Sequence, residues 1–249
     1  MLDKKQKYLQ IALNSTLEEA KSIIKQIPLD KRIIIEAGTP LIKAYGMRGI
    51  RAIRNFWEER VFEVPEGFQK SPLFIKILKE KKALKETKIP FTPYLVADLK
   101  CMDRGSREVE IAREGGANAA VALGRAPTET IEAFIQECKE YGVDSMIDMM
   151  NVDYCLEILR QLKEPPDVVI LHRGVDEETF NPESEIPYYE IHRIKENYDI
   201  MVAVAGGDTI QEVQRAIFND ADIVVVWKSF YKSTTDTAKL AEEFLKEIR

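Results

Sequence analysis

The chain is poor in cysteine, has no long apolar stretch and carries no excess of basic residues. Its three cysteines, Cys101, Cys138 and Cys155, are odd in number and lack CxxC spacing, so they fit neither a disulfide framework nor a zinc site. A reducing, cytoplasmic compartment is therefore expected. No apolar run approaches the roughly 18 residues that a membrane span needs, and the N-terminal MLDKKQKYLQ has no apolar stretch long enough for a signal peptide.

The charge balance argues against nucleic acid as the main partner. The 36 Lys and Arg residues are outnumbered by 42 Asp and Glu residues, which gives a formal net charge of -6, whereas a phosphate backbone demands a basic face. Hydrophobic residues make up 45% of the chain and charged residues 31%, which is typical of a globular protein rather than a disordered one. With 249 residues the chain can bury a sizeable core, and α/β barrels commonly fill this length as one domain.

Short aliphatic runs alternate with helix-length amphipathic stretches almost to the end of the chain. The runs predicted as strands are 8–13, 32–37, 93–98, 118–123, 145–149, 167–172, 200–205 and 222–227. Among the predicted helices are 17–27, 107–114, 128–141, 152–162, 210–218 and 235–248. Apolar strands joined by helical crossovers indicate a parallel sheet covered by helices, and eight such units favour a (β/α)8 TIM barrel that occupies 1–249 as a single domain. An open doubly wound sheet is the alternative, but the Gly-rich turn typical of that fold is absent after the first strand.

One connection is longer than the others. Between the second helix, predicted to end near Asn55, and the third strand lies an insertion at about 56–92, with a predicted helix at 72–86. Connections of this length are uncommon in compact domains. Because the insertion joins a helix to the next strand, we expect it on the amino-terminal face of the barrel, away from the chemistry. It either covers the barrel floor as a solvated amphipathic helix or contacts another protein chain.

Polar residues stand where the predicted strands end. Glu36 ends the second strand, Asp98 the third and His172 the sixth. The turn Gly206-Gly207-Asp208 follows the seventh strand, and Trp227-Lys228 follows the eighth. In a (β/α)8 barrel the carboxyl ends of the strands form the face that holds the active site, so we expect all of these residues on one rim.

The densest polar cluster is the run from Asp98 to Asp103, DLKCMD. In an extended chain Asp98 and Lys100 share one face, because side chains alternate along a strand. Two carboxylates that flank the Lys100 ammonium would keep it charged and position it beside the reacting carbons. The alternative is a structural salt bridge at a helix entrance, with Asp103 as the helix N-cap.

Glu36 and Asp98 offer hard oxygen ligands on neighbouring strands. Such a pair suits Mg²⁺, or Mn²⁺ in its place, because Mg²⁺ takes one or two carboxylates and completes its shell with water and substrate oxygens. Alternatively, the two are solvated acids of the rim. The position of His172 directly after a strand favours a general acid/base. His192 lies in a polar helical stretch and is expected to be exposed.

The residues after the seventh and eighth strands suggest a phosphate site. Gly206-Gly207 precedes a helix that starts near Thr209, and glycine lets backbone N–H groups approach an anion closely. The same pair is also compatible with a plain turn. Lys228 would supply a cation. Asp208 places a carboxylate beside the expected phosphate, and Trp227 adds bulk there.

Several of these motifs resemble one known family. The segments YLQIALN, IIEAGTPLIKAYGM, VADLKCMD, HRGVDEE and VAVAGG resemble the strand-end motifs of 3-hexulose-6-phosphate synthase, in the orotidine 5'-monophosphate decarboxylase suprafamily. The joint presence of EAGTPLIK and DxKxxD is specific, and the resemblance covers nearly the whole chain apart from the insertion. It implies that Glu36 and Asp98 bind Mg²⁺. It also implies that Lys100 and His172 handle protons and the developing negative charge, and that Asp103 reaches across a homodimer interface into the neighbouring site.

The chain departs from that family's pattern at three places. The first strand leads to Asn14 instead of an aspartate, the eighth leads to Trp227-Lys228 instead of Gly-Arg or Gly-Gly, and the insertion is not part of the family core. The resemblance implies an aldehyde-lyase that condenses formaldehyde with the phosphosugar ribulose 5-phosphate, or catalyses the reverse, through an enediolate. A sister decarboxylase of 3-keto-L-gulonate 6-phosphate carries an arginine where this chain has Val175. Another enediolate enzyme with an altered substrate, and a barrel without activity that binds or scaffolds, are the remaining alternatives.

Overall fold

The computed structural model describes residues 1–62, 91–232 and 237–248, and in these ranges eight parallel strands form one closed barrel. The strands are Tyr8–Leu13 (β1), Ile33–Ala37 (β2), Leu95–Cys101 (β3), Ala119–Leu123 (β4), Asp144–Asp148 (β5), Val168–His172 (β6), Met201–Ala205 (β7) and Ile223–Val226 (β8). The helices are Leu17–Gln26 (α1), Thr39–Tyr45 (α2), Met47–Val61 (α3), Gly105–Glu114 (α4), Thr128–Tyr141 (α5), Cys155–Leu159 (α6), Val175–Phe180 (α7), Tyr189–Asn197 (α8), Ile210–Phe218 (α9), Lys228–Lys232 (α10) and Thr237–Glu247 (α11).

Each strand pairs in parallel with the next one along the chain, and β8 closes the barrel on β1. Closure confirms the predicted (β/α)8 barrel and excludes an open doubly wound sheet. Apart from β3, every strand begins and ends within one residue of its predicted position. This agreement has a physical cause, because strands covered on both faces are built from continuous aliphatic runs that are easy to recognise.

Two hydrophobic cores lie on the two sides of the strands. The inner core fills the barrel with side chains that alternate along the strands, including Tyr8, Ile34, Val96, Met146 and Ile223. The outer core packs the strands against the helices and buries its large side chains completely, among them Trp57, Phe134 and Phe244. Burying one such side chain contributes about 1.5–3 kcal/mol, so the two cores give the strand ends a rigid support.

Two helices begin at capping boxes. The Thr16 hydroxyl accepts the Glu19 N–H at 3.2 Å, and the Glu19 carboxylate bonds back to the Thr16 N–H. Thr209 and Glu212 repeat the arrangement at the start of α9. Each cap is worth about 1 kcal/mol. The Thr209 cap also fixes where the chain turns after β7.

The second helical region differs from its predicted form. It is split at Gly46 into α2 and α3, and α3 continues to Val61 instead of ending near Asn55. Trp57 and Val61 are buried, so the stretch 56–61 belongs to the barrel and not to the insertion. Most of the predicted insertion, including its predicted helix at 72–86, falls at positions 63–90, which are not among the described residues. The helix predicted at 152–162 is shorter and spans Cys155–Leu159.

All three cysteines are free and buried. This agrees with their spacing, which does not fit a disulfide framework. Within the described ranges, no helix is both long and apolar enough to cross a membrane.

Candidate active site

Side chains at the carboxyl ends of the strands enclose a cavity of about 480 Å³. Its polar lining consists of Gln10, Asn14, Glu36, Thr39, Lys43, Asp98, Lys100, Asp148, His172, Arg173 and Glu178. Its apolar lining includes Ala12, Val121, Ile170, Ala205, Val225 and Trp227. A cavity of this size, with a few polar groups above an apolar floor, suits a small molecule.

Asp148, at the end of β5, joins the two groups that the sequence indicates for proton handling. Its Oδ2 lies 2.7 Å from Lys100 Nζ and 2.7 Å from His172 Nδ1. Its Oδ1 accepts the Met150 N–H at 2.9 Å, and the residue is 1% exposed. Burial alone would raise the pKa of Asp148, but the adjacent His172 and Lys100 outweigh burial and hold the pKa well below its usual range. Asp148 is therefore an ionised acceptor at neutral pH.

The charge of Asp148 decides the tautomer of His172. An ionised carboxylate only accepts hydrogen bonds, so the neutral imidazole carries its hydrogen on Nδ1 and donates it to Asp148 Oδ2. Nε2 is then the ring nitrogen left with a lone pair. Because His172 lines the cavity, this nitrogen is the one that can take a proton from a bound molecule. His192 is exposed, as predicted.

Lys100 lies between two carboxylates, with its Nζ 3.1 Å from Asp98 Oδ2 and 2.7 Å from Asp148 Oδ2. Burial alone would lower the pKa of Lys100, but the negative charges of Asp98 and Asp148 reverse the effect and raise the pKa above its usual value. Lys100 therefore remains an ammonium at physiological pH. It can stabilise negative charge or donate a proton, but it is not a base.

The backbone at Lys100 differs from the extended strand that the alternation argument assumed. Lys100 has a φ of 46°, and the pairing of β3 with β4 shifts register between Ala97 and Cys101. A non-glycine residue in the left-handed region costs about 1–3 kcal/mol and is concentrated at functional sites. Asp98 and Lys100 therefore reach the same cavity through a bulge. The second carboxylate beside Lys100 is Asp148 and not Asp103.

Glu36 and Asp98, the predicted metal ligands, lie on neighbouring strands and both line the cavity. Glu36 accepts a hydrogen bond from Gln10 Nε2, and Asp98 Oδ2 accepts one from Thr39 Oγ1 at 2.8 Å. Burial and the nearby charge of Asp98 raise the pKa of Glu36 to about 7. Gln10 Oε1 is buried without a hydrogen-bond partner among the described residues. These two buried carboxylates repel each other, and a bound divalent cation would relieve that repulsion.

The donor set fits one class of metal better than another. In the described part of the chain, no three or more His, Cys, Asp or Glu side chains are arranged to hold a metal ion, which argues against an all-protein cage there. Mg²⁺ does not need one, because one or two carboxylates with water and substrate oxygens complete its shell. Glu36 and Asp98 therefore fit Mg²⁺ or a similar hard cation.

Asp103 is exposed and does not line the cavity of its own chain. The N-cap of α4 is Arg104, in the left-handed region with a φ of 57°, so the alternative of Asp103 as a helix cap is wrong. Asp103 lies two residues beyond the end of β3, close in sequence to Lys100. Its role across a dimer interface stays a prediction.

The turn after β7 needs glycine at its first position. Gly206 has a φ of 98°, and a Cβ there would lie 2.3 Å from the Arg173 carbonyl oxygen. Both the left-handed backbone and the close approach exclude a side chain. Gly206 lines the cavity, whereas Gly207 does not.

Several N–H groups near the expected phosphate site already have partners. The Asp208 and Thr209 N–H groups donate to Glu212 Oε2 at 3.0 and 3.1 Å. Asp208 Oδ1 accepts the Trp227 N–H at 2.6 Å and the Lys228 N–H at 3.0 Å. Burial raises the pKa of Asp208 in spite of these two hydrogen bonds. Glu212 and Asp208 thus accept hydrogen bonds from N–H groups after β7 and after β8. Phosphate binding by Gly206, Gly207 and Asp208 stays a prediction.

The nearby cations are also paired. Lys228 Nζ donates to a Glu178 oxygen, and Arg173 Nη2 lies 3.3 Å from Glu212 Oε1. Neither Lys228 nor Asp208 is part of the cavity wall, whereas Arg173 and Glu178 are. We call the side chains of Arg173, Glu178, Asp208, Glu212 and Lys228 the acidic corner, because it holds one carboxylate more than it holds cations.

Asn14 and Trp227, which also depart from the family pattern, both line the cavity. A Cβ at Gly38 would lie 1.8 Å from Asn14 Oδ1, so Gly38 makes room for the amide. The Asn14 N–H donates to the Tyr231 hydroxyl at 2.8 Å, and the Tyr231 ring lies edge-on to Trp227 with centroids 6.3 Å apart. These contacts fix the wall between β8 and β1.

Six polar residues of the cavity wall were not singled out from the sequence, among them Asp148, Gln10 and Arg173. Asp148 ends its strand and would have followed from the rule that selected Glu36, Asp98 and His172. Gln10 is buried inside the barrel, two residues before Ala12 on the same face of β1. A polar residue in an otherwise aliphatic strand is itself an indication of a functional position. Arg173 directly follows His172, but nothing in the sequence shows that its side chain turns toward the cavity.

The fold and the cavity together define a (β/α)8 barrel with a polar site at the carboxyl ends of its strands. The chain belongs to the orotidine 5'-phosphate decarboxylase / HUMPS family, whose model matches residues 7–244. The match confirms the suprafamily inferred from the strand-end motifs.

The curated relatives are about one third identical to this chain. The bifunctional enzyme Fae/Hps of Methanothrix thermoacetophila is 35% identical over 244 residues, which cover 97% of this chain and 53% of the relative. The protein of the same name from Methanocaldococcus jannaschii is 35% identical over 242 residues, which cover 97% and 52%. The chain thus spans about half the length of the curated relatives it matches.

Solved structures agree with the barrel. A 3-hexulose-6-phosphate synthase from Salmonella typhimurium superposes with a TM-score of 0.75 at 25% identity, and the match covers 97% of this chain and 98% of that one. A KGPDC from Streptococcus mutans superposes with a TM-score of 0.69 over 98% of this chain and 97% of that one. At 17% identity this second likeness shows the fold alone.

Proposed function

We propose that the chain is an aldehyde-lyase of the 3-hexulose-6-phosphate synthase type, which condenses formaldehyde with ribulose 5-phosphate or catalyses the reverse. The names of similar proteins support the proposal. The Salmonella typhimurium structure is named a 3-hexulose-6-phosphate synthase, and the curated relatives are named bifunctional enzymes Fae/Hps. The observation that carries it is the hydrogen-bonded set of Lys100, Asp148 and His172 in the same cavity as the Glu36–Asp98 pair.

The paired imidazole and the ammonium have separate tasks in this reaction. His172 Nε2 takes a proton from C1 of the ketose, which leaves an enediolate, and Asp148 stabilises the imidazolium that forms. The Lys100 ammonium stabilises the negative charge on the enediolate oxygen. The C1 carbon then forms a bond to the formaldehyde carbon. The proton returns from His172 to the alkoxide oxygen that was the formaldehyde carbonyl, so no proton or electron is gained or lost.

Glu36 and Asp98 would hold Mg²⁺, with Mn²⁺ as a substitute. When bound, the ion supplies a Lewis acid that polarises the ketone and stabilises the negative charge of the enediolate. The raised pKa of Glu36 supports this assignment, because the same repulsion that disfavours two carboxylates alone favours a cation between them. Gln10 and Thr39 hold the two carboxylates in place through their hydrogen bonds.

Asp103 has a place in this proposal only in a homodimer. It is exposed and outside the cavity of its own chain, although it follows Lys100 by three residues on the same rim. A second copy of the chain would bring Asp103 to the neighbouring cavity.

The test is a turnover assay with formaldehyde and ribulose 5-phosphate, with His172→Asn as the disabled variant and His192→Asn as its matched control. We expect His172→Asn to lose activity and His192→Asn, at an exposed histidine, to keep it. A calorimetric titration of the protein with ribulose 5-phosphate, in the presence and absence of Mg²⁺, measures binding independently of turnover. Binding without turnover would leave a barrel that binds but does not catalyse. If ribulose 5-phosphate neither binds nor reacts, the proposed substrate is wrong.

A further inference from the structure

The acidic corner is unusual for a place expected to bind an anion. In (β/α)8 barrels, phosphate commonly binds at the loops after the seventh and eighth strands and at the start of a short helix there. In this chain the N–H groups of Trp227 and Lys228 directly follow β8. Both already donate to Asp208 Oδ1, at 2.6 and 3.0 Å.

The geometry of Asp208 is that of a bound anion. A carboxylate oxygen that accepts two backbone N–H groups makes the contacts that a phosphate oxygen would make, and charge-assisted bonds of this kind are the strong ones. Ser229 Oγ lies 3.3 Å from the Asp208 carbonyl oxygen, which adds a second attachment between the β7 turn and the β8 end. Asp208 is thus held in place from two sides.

The charges around Asp208 give an incoming phosphate no compensation. Lys228 Nζ is paired with Glu178, and Arg173 is paired with Glu212, so both cations of the acidic corner are neutralised by the chain itself. A phosphate dianion that approached the Trp227 N–H would meet the Asp208 carboxylate at van der Waals distance. Like charges at such short range repel each other strongly.

We propose that Asp208 is a specificity-determining residue that competes with the substrate phosphate for the Trp227 and Lys228 N–H groups. This inference rests on the proposed phosphosugar substrate. A phosphorylated ketose binds in the cavity only after the Asp208 carboxylate has been displaced from those two groups. The carboxylate therefore weakens binding of the phosphorylated ketose and leaves the binding of its non-phosphorylated counterpart unaffected.

The experiment compares Asp208→Asn with Asp199→Asn in the full-length chain. Asparagine keeps the size and the acceptor oxygen of Asp208 but removes the charge. Asp199→Asn removes the same charge at an exposed position just before β7, at the opposite end of that strand, so it controls for the change in net charge. Calorimetric titrations use three ligands: inorganic phosphate, ribulose 5-phosphate and ribulose.

Asp208→Asn should lower the dissociation constants of phosphate and of ribulose 5-phosphate about tenfold or more, since one full negative charge beside the dianion is lost. The dissociation constant of ribulose should stay the same, and Asp199→Asn should change none of the three. Unchanged or weaker binding of phosphate to Asp208→Asn would overturn the inference. Equal tightening of ribulose would overturn it as well, because the effect would then not concern the phosphate.

A second variant guards against a folding defect. If thermal unfolding shows that Asp208→Asn is not folded, Glu178→Gln gives an independent test, since it removes the negative charge that neutralises the Lys228 ammonium and leaves Asp208 in place. It too should tighten the binding of phosphate and leave ribulose unchanged, and no tightening would count against the role of the acidic corner. The outcome is distinct from that of the turnover assay. The proposed function fails when no product forms, whereas the role of Asp208 fails when phosphate binding does not tighten.

Discussion

Asp148→Asn is the most informative single change in this cavity. In the native structure Asp148 Oδ1 accepts the Met150 N–H, and Oδ2 accepts from both Lys100 and His172. Asparagine has one acceptor oxygen and one donor group. If its oxygen stays with Met150, its NH₂ group faces the Lys100 ammonium and forces His172 Nδ1 to become an acceptor. If the amide is reversed, the Met150 N–H loses its partner.

The first arrangement removes the His172 tautomer that the proposed mechanism needs. His172 would carry its hydrogen on Nε2 and could no longer take a proton from a bound molecule. In other enzymes, loss of the carboxylate that orients a catalytic histidine lowers kcat by up to about 10⁴-fold, and we expect a loss of about 10²–10⁴-fold here. Stability should fall too. Breaking a buried ion pair costs about 3–5 kcal/mol, and we expect the lower part of that range because Lys100 keeps Asp98 as a partner and is 22% exposed.

Asp144→Asn is the matched control, at the other end of the same strand. Asp144 is also buried, at 3% exposed, and accepts hydrogen bonds from the Tyr94 hydroxyl at 2.5 Å and the Leu2 N–H at 3.2 Å. It is far from the cavity, so its variant should lose some stability in urea unfolding and keep a kcat within about threefold of the native value. An Asp148→Asn protein with native kcat would refute the role given to His172. An equal loss in both variants would show a structural effect only.

The remaining predictions concern the metal and the dimer. EDTA should abolish turnover and Mg²⁺ or Mn²⁺ should restore it, and Glu36→Gln or Asp98→Asn should lower kcat by about 10²-fold or more. Full activity in EDTA would contradict the metal site. Because the pKa of Glu36 is raised to about 7, the metal must displace a proton below that pH, so calorimetry should show Mg²⁺ affinity that falls about tenfold per pH unit there and is flat above it. A pH-independent affinity would exclude Glu36 as the titrating ligand. Mixing inactive Lys100→Ala with inactive Asp103→Ala protein should restore part of the activity through hybrid dimers, and no recovery after demonstrated subunit exchange would argue against shared sites.

The parts of the molecule that follow local rules could be predicted from the sequence. Strands buried on both sides are aliphatic runs, and a side chain at a strand end lies on the rim of a barrel, so Glu36, Asp98 and His172 were placed correctly in one cavity. The same rule applies to Asp148, which no motif marked. The end of α3 was misplaced, although Trp57 and Val61 stand four residues apart, at helical spacing. Their burial against the barrel extends the helix and is a matter of tertiary packing.

The contacts that the sequence does not reveal join residues through the closed barrel. Asp208 caps N–H groups that lie 19 and 20 residues further along the chain, across the β7–β8 pair. Asp148 and Lys100 are 48 residues apart and meet because a bulge turns Lys100 into the left-handed region. Neither contact can be predicted from the spacing of residues in the sequence. The first depends on how β7 and β8 pair, and the second depends on the left-handed backbone at Lys100.

The distribution of these contacts around the rim separates chemistry from binding. Glu36, Asp98, Asp148 and His172 lie on β2, β3, β5 and β6, while Asp208 and Trp227 follow β7 and β8. The closed barrel holds both sets of residues in fixed positions. No hydrogen bond described for the acidic corner involves the side chain of Lys100, Asp148 or His172. Residues after β7 and β8 can therefore change without altering the tautomer of His172 or the charge of Lys100. Under the proposed function, residues at the expected phosphate end can therefore differ while Lys100, Asp148 and His172 keep their contacts. This independence also means that changes at Asp208 should appear in KM and changes at Asp148 in kcat, which is the separation that a comparison of the two variants measures.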